Sequence, residues 1–251
     1  MPKKVIAFDL DDTLCVTKSP ITNQMAELIG ALLQTHQVCI ISGGRFEQFQ
    51  QQVVDNLKVK HHLLINLHLM PTCGTRYYRY DSVKRKWTKL YSEDIPTEDR
   101  NRIIEALTTA AREVGHLETN PHGEIIEDRG SQITFSACGQ QAPPHIKYAW
   151  DPDQVKRLEI RSKVLDVLDD YEVRIGGTTS IDVTKPGIDK AYGMKKLMDA
   201  LGVSKDEILF IGDKLEEGGN DYAVKAMGID TIAVDGWEHT VLVVQALMES
   251  V

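Results

Sequence analysis

The sequence predicts an α/β fold in which a parallel sheet, covered by helices on both faces, is interrupted by an inserted α+β domain with its own antiparallel sheet. Three observations predict it. The apolar runs "KKVIAFDL" at 3–10 and "VCIISGG" at 38–44 are each followed by helically spaced residues, and strands of that kind are covered on both faces by crossover helices. From about residue 76 the pattern becomes a period-2 alternation of polar and aromatic residues, "TRYYRYDSVKRKWTKLY", as in a half-exposed antiparallel hairpin. After about residue 186 the first style returns, with "EILFIGD" and "IDTIAVDG" separated by a helical stretch. The expected division is therefore a core over 1–80, an inserted domain over 81–185, and the core again over 186–251.

Each element has its own signal. Behind the first strand, Met25, Leu28, Ile29, Leu32 and Leu33 recur at helical spacing. The second strand stops at two glycines, and Phe46, Phe49 and Val53 mark the next helix. Within the insert, a helix is expected from about Thr97 to Val114 with Thr97 as N-cap. Strands follow in "GEIIEDR" and "SQITFSACG", then a loop "QQAPPHI", a helix from about Asp153 to Leu168, and strands in "YEVRIGG" and "TSIDVTK". The core resumes with the helix "KAYGMKKLMDALG", a strand, the helix "NDYAVKAMG", a last strand and a helix from about His239 to Met248.

Composition excludes several classes. With 42% hydrophobic and 26% charged residues, the chain has the make-up of a soluble globular protein, neither disordered nor fibrous. A net charge of -8 argues against a nucleic-acid or anionic-membrane surface. No nucleic-acid or membrane partner is expected, and an anionic substrate needs a local exception to this charge. No apolar run nears the roughly 18 residues of a membrane span, and the start turns acidic before a signal core can form, so a cytoplasmic location is expected. Cys15, Cys39, Cys73 and Cys138 lack C-x-x-C or zinc-ligand spacing and read as reduced packing thiols.

The chemistry begins at "KKVIAFDLDDTLC", where Asp9, Asp11 and Asp12 crowd the exit of a buried strand. Like charges that close cost free energy unless a positive charge sits among them. An EF-hand loop fails here, because Leu14 and Pro20 stand where glycine and glutamate are required. Asp9 and Asp11 alternate at the strand end, so both side chains are expected to flank one pocket at the sheet's carboxyl edge. A hard divalent ion such as Mg2+ suits that oxygen-rich edge, where one carboxylate can attack phosphorus while a neighbour moves protons.

"FDLDDTL" resembles the first motif of the haloacid dehalogenase superfamily, D-x-D-x-T/V, and three further stretches match in order. Ser42 in "IISGG" resembles the second motif, Lys190 in "GIDKAYGMKKL" the third, and "FIGDKLEEGGND" the fourth, with Asp213, Asn220 and Asp221. The resemblance implies a Rossmann-like core, Mg2+ as cofactor, Asp9 as nucleophile and Asp11 as general acid and base. It implies that Ser42, beside Gly43, Gly44 and Arg45, binds the transferring phosphoryl group and that Lys190 neutralises it. It gives the metal to Asp9, the Asp11 backbone carbonyl, Asp213, Asn220 and Asp221. Asp12 is a bystander in this reading.

An insert between the second and third motifs corresponds to the superfamily's large α+β cap, which closes over the site and reads the non-phosphate part of the substrate. Here "RIGGTTSIDVTKPGIDKAYG" and "FIGDKLEEGGNDYAV" are similar to the eukaryotic-type phosphomannomutases. That family holds a second phosphate with arginines, whose forked donors suit the anion. One of them is matched by Arg129, and the family's hydroxyl and carboxylate by Ser180 and Asp182, which alternate on one strand and share a face. Other positions carry Gln140, Lys147 and, after the first motif, Lys18; lysine still neutralises phosphate, whereas glutamine does not. The weakened second site favours hydrolysis of a sugar phosphate over interconversion of mannose 6-phosphate and mannose 1-phosphate. A non-catalytic phosphosugar-binding protein is the third reading. The resemblance also implies a homodimer paired through the cap.

Overall fold

The computed structural model describes residues 2–249; Met1, Ser250 and Val251, the ends of the expected core segments, lie outside it. The chain begins β1 (Val5–Phe8), α1 (Asn23–Leu32), β2 (Gln37–Ile41), α2 (Phe46–Gln52), β3 (Leu67–Met70), β4 (Arg76–Asp81) and β5 (Lys86–Ser92). It continues through α3 (Thr97–Glu113), β6 (Ile126–Asp128), β7 (Gln132–Ser136), α4 (Pro144–Trp150), α5 (Val155–Leu165), β8 (Glu172–Gly176) and β9 (Ser180–Thr184). The last stretch is α6 (Lys190–Leu201), β10 (Ile208–Gly212), α7 (Tyr222–Ala226), β11 (Asp230–Ala233) and α8 (Trp237–Glu249). Among the described residues no helix is long and apolar enough to cross a membrane.

Two compact units result, Met1–Ser92 with Ile188–Val251, and Glu93–Gly187. The first carries a seven-stranded sheet in the order β11-β10-β1-β2-β3-β4-β5. Its first five strands are parallel, and β4 and β5 are antiparallel to their neighbours. The unbroken apolar runs are explained by burial on both faces. Ile6, Phe8, Val38 and Ile40 pack with Met25 and Ile29 of α1, Phe49 of α2 and Val241 of α8. Val5, Ala7, Cys39 and Ile41 pack on the opposite face with Met194 and Leu197 of α6 and Val224 of α7.

In the second unit the sheet order is β6-β7-β9-β8, all antiparallel. Ile133, Phe135, Ile181 and Val183 face Ile103 and Leu107 of α3 and Ile160 and Val164 of α5. By alternation Gln132, Thr134, Ser136, Ser180, Asp182 and Thr184 line the other face.

Several expectations move. The hairpin expected to open the insert at 81 is β4-β5, and it belongs to the core sheet because β4 pairs with β3 through His68↔Arg79 and Leu69↔Tyr78; the unit boundaries fall at 92/93 and 187/188. Pro96 rather than Thr97 occupies the N-cap of α3, with no side-chain cap. The expected loop 140–146 contains the start of α4, whose Pro144 sits in the first turn, where a missing N–H costs nothing. The helix expected over 153–168 spans only Val155–Leu165, and α8 starts at Trp237, before His239.

β3 escaped the apolar pattern because His68 interrupts it. That imidazole is fully buried, between the Tyr77 hydroxyl at 2.6 Å on Nδ1 and Gln37 Oε1 at 2.7 Å on Nε2. Gln37 uses its amide nitrogen on Asn66, so its oxygen accepts from Nε2–H and the tyrosine donates to Nδ1. Burial, with Arg79 adding to it, lowers the His68 pKa to about 3. A folded-state value below the usual 6.5 means that the unfolded chain takes up the proton first. Stability is then held above pH 6.5 and lost as pH falls, by roughly 1.4 kcal/mol per pH unit. Urea titrations of His68→Gln between pH 7.5 and 5 are expected to show lower stability at neutrality but a flatter acid limb; an unchanged pH slope would contradict this origin.

Candidate active site

The site grows out of strand order. β1 and β10 are parallel neighbours with Phe8 opposite Ile211, and the Asp9 N–H donates to the Ile211 carbonyl at 3.0 Å. The next residues on the two strands, Asp9 and, one past Gly212, Asp213, therefore emerge together at the carboxyl edge, where such sheets bind ligands. A third acid, Asp221, is returned by a closed turn. Its N–H donates to the Lys214 carbonyl and its Oδ2 accepts from the Lys214 N–H, both at 3.1 Å. Gly212 makes room for it, since a Cβ there would lie 2.5 Å from Asp221 Oδ2.

One oxygen from each of Asp9, Asp213 and Asp221 falls within 4.8 Å of the others. Lys190, the first residue of α6, places its ammonium 2.5 Å from both Asp9 Oδ1 and Asp221 Oδ1 and is 1% exposed. Desolvation pushes the Asp9 carboxyl up to about 7, against the pull of Lys190 and with repulsion from Asp221. Burial also works against the Lys190 charge, but Asp9 and Asp221 outweigh it and its pKa is raised. Thr13 Oγ1 lies 3.4 Å from Asp9 Oδ2 and 3.5 Å from Asp213 Oδ1 and bridges the two strand ends. The donor set fits a hard divalent cation such as Mg2+: three carboxylates converge with one buried ammonium among them, and every donor is oxygen.

Asp11 departs from expectation. Its carboxylate does not join that cluster: Oδ1 accepts from the Lys18 N–H at 2.8 Å and Gln52 Nε2 at 3.0 Å, and Oδ2 from Gln48 Nε2 at 2.8 Å. The physical reason is the tight turn after Leu10, in which Asp12 takes a left-handed φ of 60° and accepts from Thr17 N–H and Oγ1. Asp12 is thus a turn-former. Lys18 contributes through its backbone, and its own side chain is exposed.

Ser42 follows β2, the other neighbour of β1, and its buried hydroxyl accepts from the Gly44 N–H at 3.3 Å. Gly43 is half-buried, and Arg45 is the exposed N-cap of α2, 3.7 Å from Glu47. Gly44 matters sterically, because a Cβ would sit 2.3 Å from Gln48 Oε1. Asn220 is exposed on the turn that delivers Asp221. Sequence reasoning missed Thr13, Gln48 and Gln52. The signals available were the threonine one helical repeat past Asp9 and the i, i+4 pair of glutamines in "FEQFQQQ".

In the inserted unit Arg129, Ser180 and Asp182 lie on the polar face of the sheet. Arg129 is already engaged, with Nε and Nη2 at 3.0 and 2.6 Å from Glu127 Oε2. On the opposite edge Arg174 makes the same pairing with Glu172, at 2.9 and 2.7 Å. Asp182 accepts from Thr134 Oγ1 at 2.6 Å, and Ser180 lies opposite Ser136 and Gly176. Lys147 donates to the Gln140 carbonyl at 3.1 Å, and Gln140 Nε2 is buried without a hydrogen-bond partner.

A phosphomannomutase of Encephalitozoon cuniculi is 24% identical over 230 residues, covering 88% of this chain and 84% of the relative. The fold is shared with a haloacid dehalogenase-like hydrolase from Bacteroides thetaiotaomicron, at a TM-score of 0.67 and 15% identity over 98% of this chain and 99% of that one. It is shared also with a C-terminally truncated Plasmodium falciparum IMP-nucleotidase, at a TM-score of 0.72 and 17% identity over 99% and 72%. The family model for eukaryotic phosphomannomutase matches residues 25–250. That match begins after Asp9, so the acidic turn is a second, separate line of support. With nine-tenths of its length covered by one family model, the chain belongs to the eukaryotic phosphomannomutase family of the haloacid dehalogenase superfamily, a group of phosphoryl-transfer enzymes.

Proposed function

We propose that the chain hydrolyses the monophosphate ester of a sugar with Mg2+, through an aspartyl phosphate on Asp9. The observation that carries this reading is Asp9 at a parallel-sheet carboxyl edge, in contact with buried Lys190 and within 4.8 Å of Asp213 and Asp221. Lys190 lowers the cost of bringing a phosphate dianion to a carboxylate. An Asp9 oxygen attacks phosphorus, the bond from phosphorus to the sugar oxygen breaks, and Asp11 gives that oxygen a proton. Water then attacks the phosphorylated Asp9, passes a proton to Asp11 and frees the carboxylate as inorganic phosphate departs. Ser42 and the Gly43–Gly44 turn hold the phosphoryl oxygens. Asp9, Asp213 and Asp221 would hold Mg2+, which when bound supplies the positive charge that offsets the developing charge on phosphorus.

Hydrolysis is preferred to mutase chemistry because a mutase needs a second anion site. Arg129 faces a carboxylate two residues away, Gln140 is neutral, and Arg174 is paired with Glu172. That balance suits sugar hydroxyls, with Ser180 and Asp182 as partners, better than a second phosphate. The mutase reading keeps the support of the family match.

The deciding assay follows phosphate release from mannose 6-phosphate and other hexose monophosphates, with Mg2+ and with EDTA. Release that EDTA stops and Mg2+ restores is expected. Interconversion of mannose 1- and 6-phosphates with added bisphosphate, at little net phosphate release, would favour the mutase, and turnover of no ester would leave a binding protein.

A further inference from the structure

We propose that Gln48 is a positioning residue for the phosphoryl transfer, fixing the orientation of the Asp11 carboxylate; this rests on the reading of Asp11 as the group that exchanges protons with the sugar oxygen. Asp11 Oδ1 has two donors, the Lys18 N–H and Gln52 Nε2, whereas Oδ2 has one, Gln48 Nε2 at 2.8 Å. Both oxygens turn together about the Cβ–Cγ bond, so every anchor resists that rotation, and Gln48 is the single donor that holds Oδ2. Removing it leaves one oxygen unheld and loosens the plane in which Asp11 presents its oxygens, and a proton transfer depends steeply on that alignment.

The fold prepares Gln48 for this. It stands in the first turn of α2, and Gln52 lies one turn on along the same side of the helix. The helix is held by buried Phe49 and by Phe46 stacked on Tyr78 at 4.0 Å. Gly44 leaves the space that the Gln48 amide occupies, since a Cβ would lie 2.3 Å from its Oε1. The seven residues from Ser42 to Gln48 thus carry both the Ser42 hydroxyl and the Gln48 donor to Asp11, and a side chain at 44 would displace the Gln48 amide from its present position.

Leaving-group chemistry separates positioning from packing. A sugar alkoxide cannot depart from phosphorus without the proton Asp11 supplies, whereas p-nitrophenolate departs as a stable anion and needs no proton. In Gln48→Met, which keeps the length and removes the donor, kcat/KM for mannose 6-phosphate, which reports the steps up to departure of the sugar, is expected to fall about 10- to 100-fold. For p-nitrophenyl phosphate kcat/KM is expected to stay within about threefold, because the later attack of water on phosphorylated Asp9, in which Asp11 serves both esters alike, does not enter it. Gln48→Lys, which returns an N–H donor, is expected to recover kcat/KM for mannose 6-phosphate to within about fivefold of wild type. Equal losses of kcat/KM on both esters, no loss on either, or failure of Gln48→Lys to recover would overturn the proposal while leaving the phosphatase reading intact. A wild-type protein that turns over neither ester would overturn that reading, and this one with it.

Discussion

Asp9→Asn is expected to lower phosphate release from every ester, p-nitrophenyl phosphate included, by a factor on the order of 10^3 or more. The amide keeps the shape of the carboxylate but has no anionic oxygen to form an acyl phosphate. The same substitution is expected to leave the protein at least as stable at pH 8 in EDTA. Burial raises the Asp9 pKa from 3.8 to about 7, so the folded state holds this proton more tightly than the unfolded chain. That contribution is complete below pH 3.8 and disappears as pH rises through about 7. Above that pH the charged side chain is a cost that asparagine does not carry, and Lys190 still has Asp221 as a counter-charge. Initial rates and thermal melts on one preparation check both halves. Wild-type rates from the variant would place the nucleophile elsewhere, and a large loss of stability would mean that the Asp9–Lys190 contact serves folding first.

Much of the core was legible because double burial leaves an unmistakable run. Val5 and Ala7 face one side of the sheet and Ile6 and Phe8 the other, so no polar residue breaks the strand. β3 was hidden for the converse reason: a histidine satisfied on both nitrogens is as buried as its neighbours yet reads as polar. The β4-β5 hairpin was recognised as a hairpin but given to the wrong domain, because alternation reveals which face is wet and not which strand lies alongside.

The same division runs through the site. Asp9 stands out from the sequence itself as an acid at a buried strand's exit, whereas Lys190, Asp213 and Asp221 come only through the resemblance to the superfamily's later motifs. The orientation of Asp11 could not be named, because it depends on how α2 docks and on two glutamine amides with no motif of their own. Nor could the pairing of Arg129, although "EDR" holds its partner two residues back, where a strand puts both side chains on one face. Charge expected for a ligand was already spent on Glu127.

Lys190→Met should produce the largest loss of stability of any substitution at the site, about 3–5 kcal/mol, or a fall in Tm of roughly 6–20 °C for a chain of this size. The ammonium lies between two buried carboxylates, and methionine fills its volume without its charge. Asp9 and Asp221 would then face each other with no buried cation. The melt must be compared with and without Mg2+, because that comparison tests the electrostatic account itself. If a divalent cation binds among Asp9, Asp213 and Asp221, it supplies much of what Lys190 supplied, and saturating Mg2+ should raise the Tm of the variant by more than it raises that of wild type. Turnover should stay low in both conditions, since the ammonium proposed to offset the phosphate's charge beside Asp9 is not replaced. Equal Mg2+ shifts in the two proteins would show that the ion and Lys190 do not share these carboxylates, and the charge balance proposed for the site would have to be redrawn.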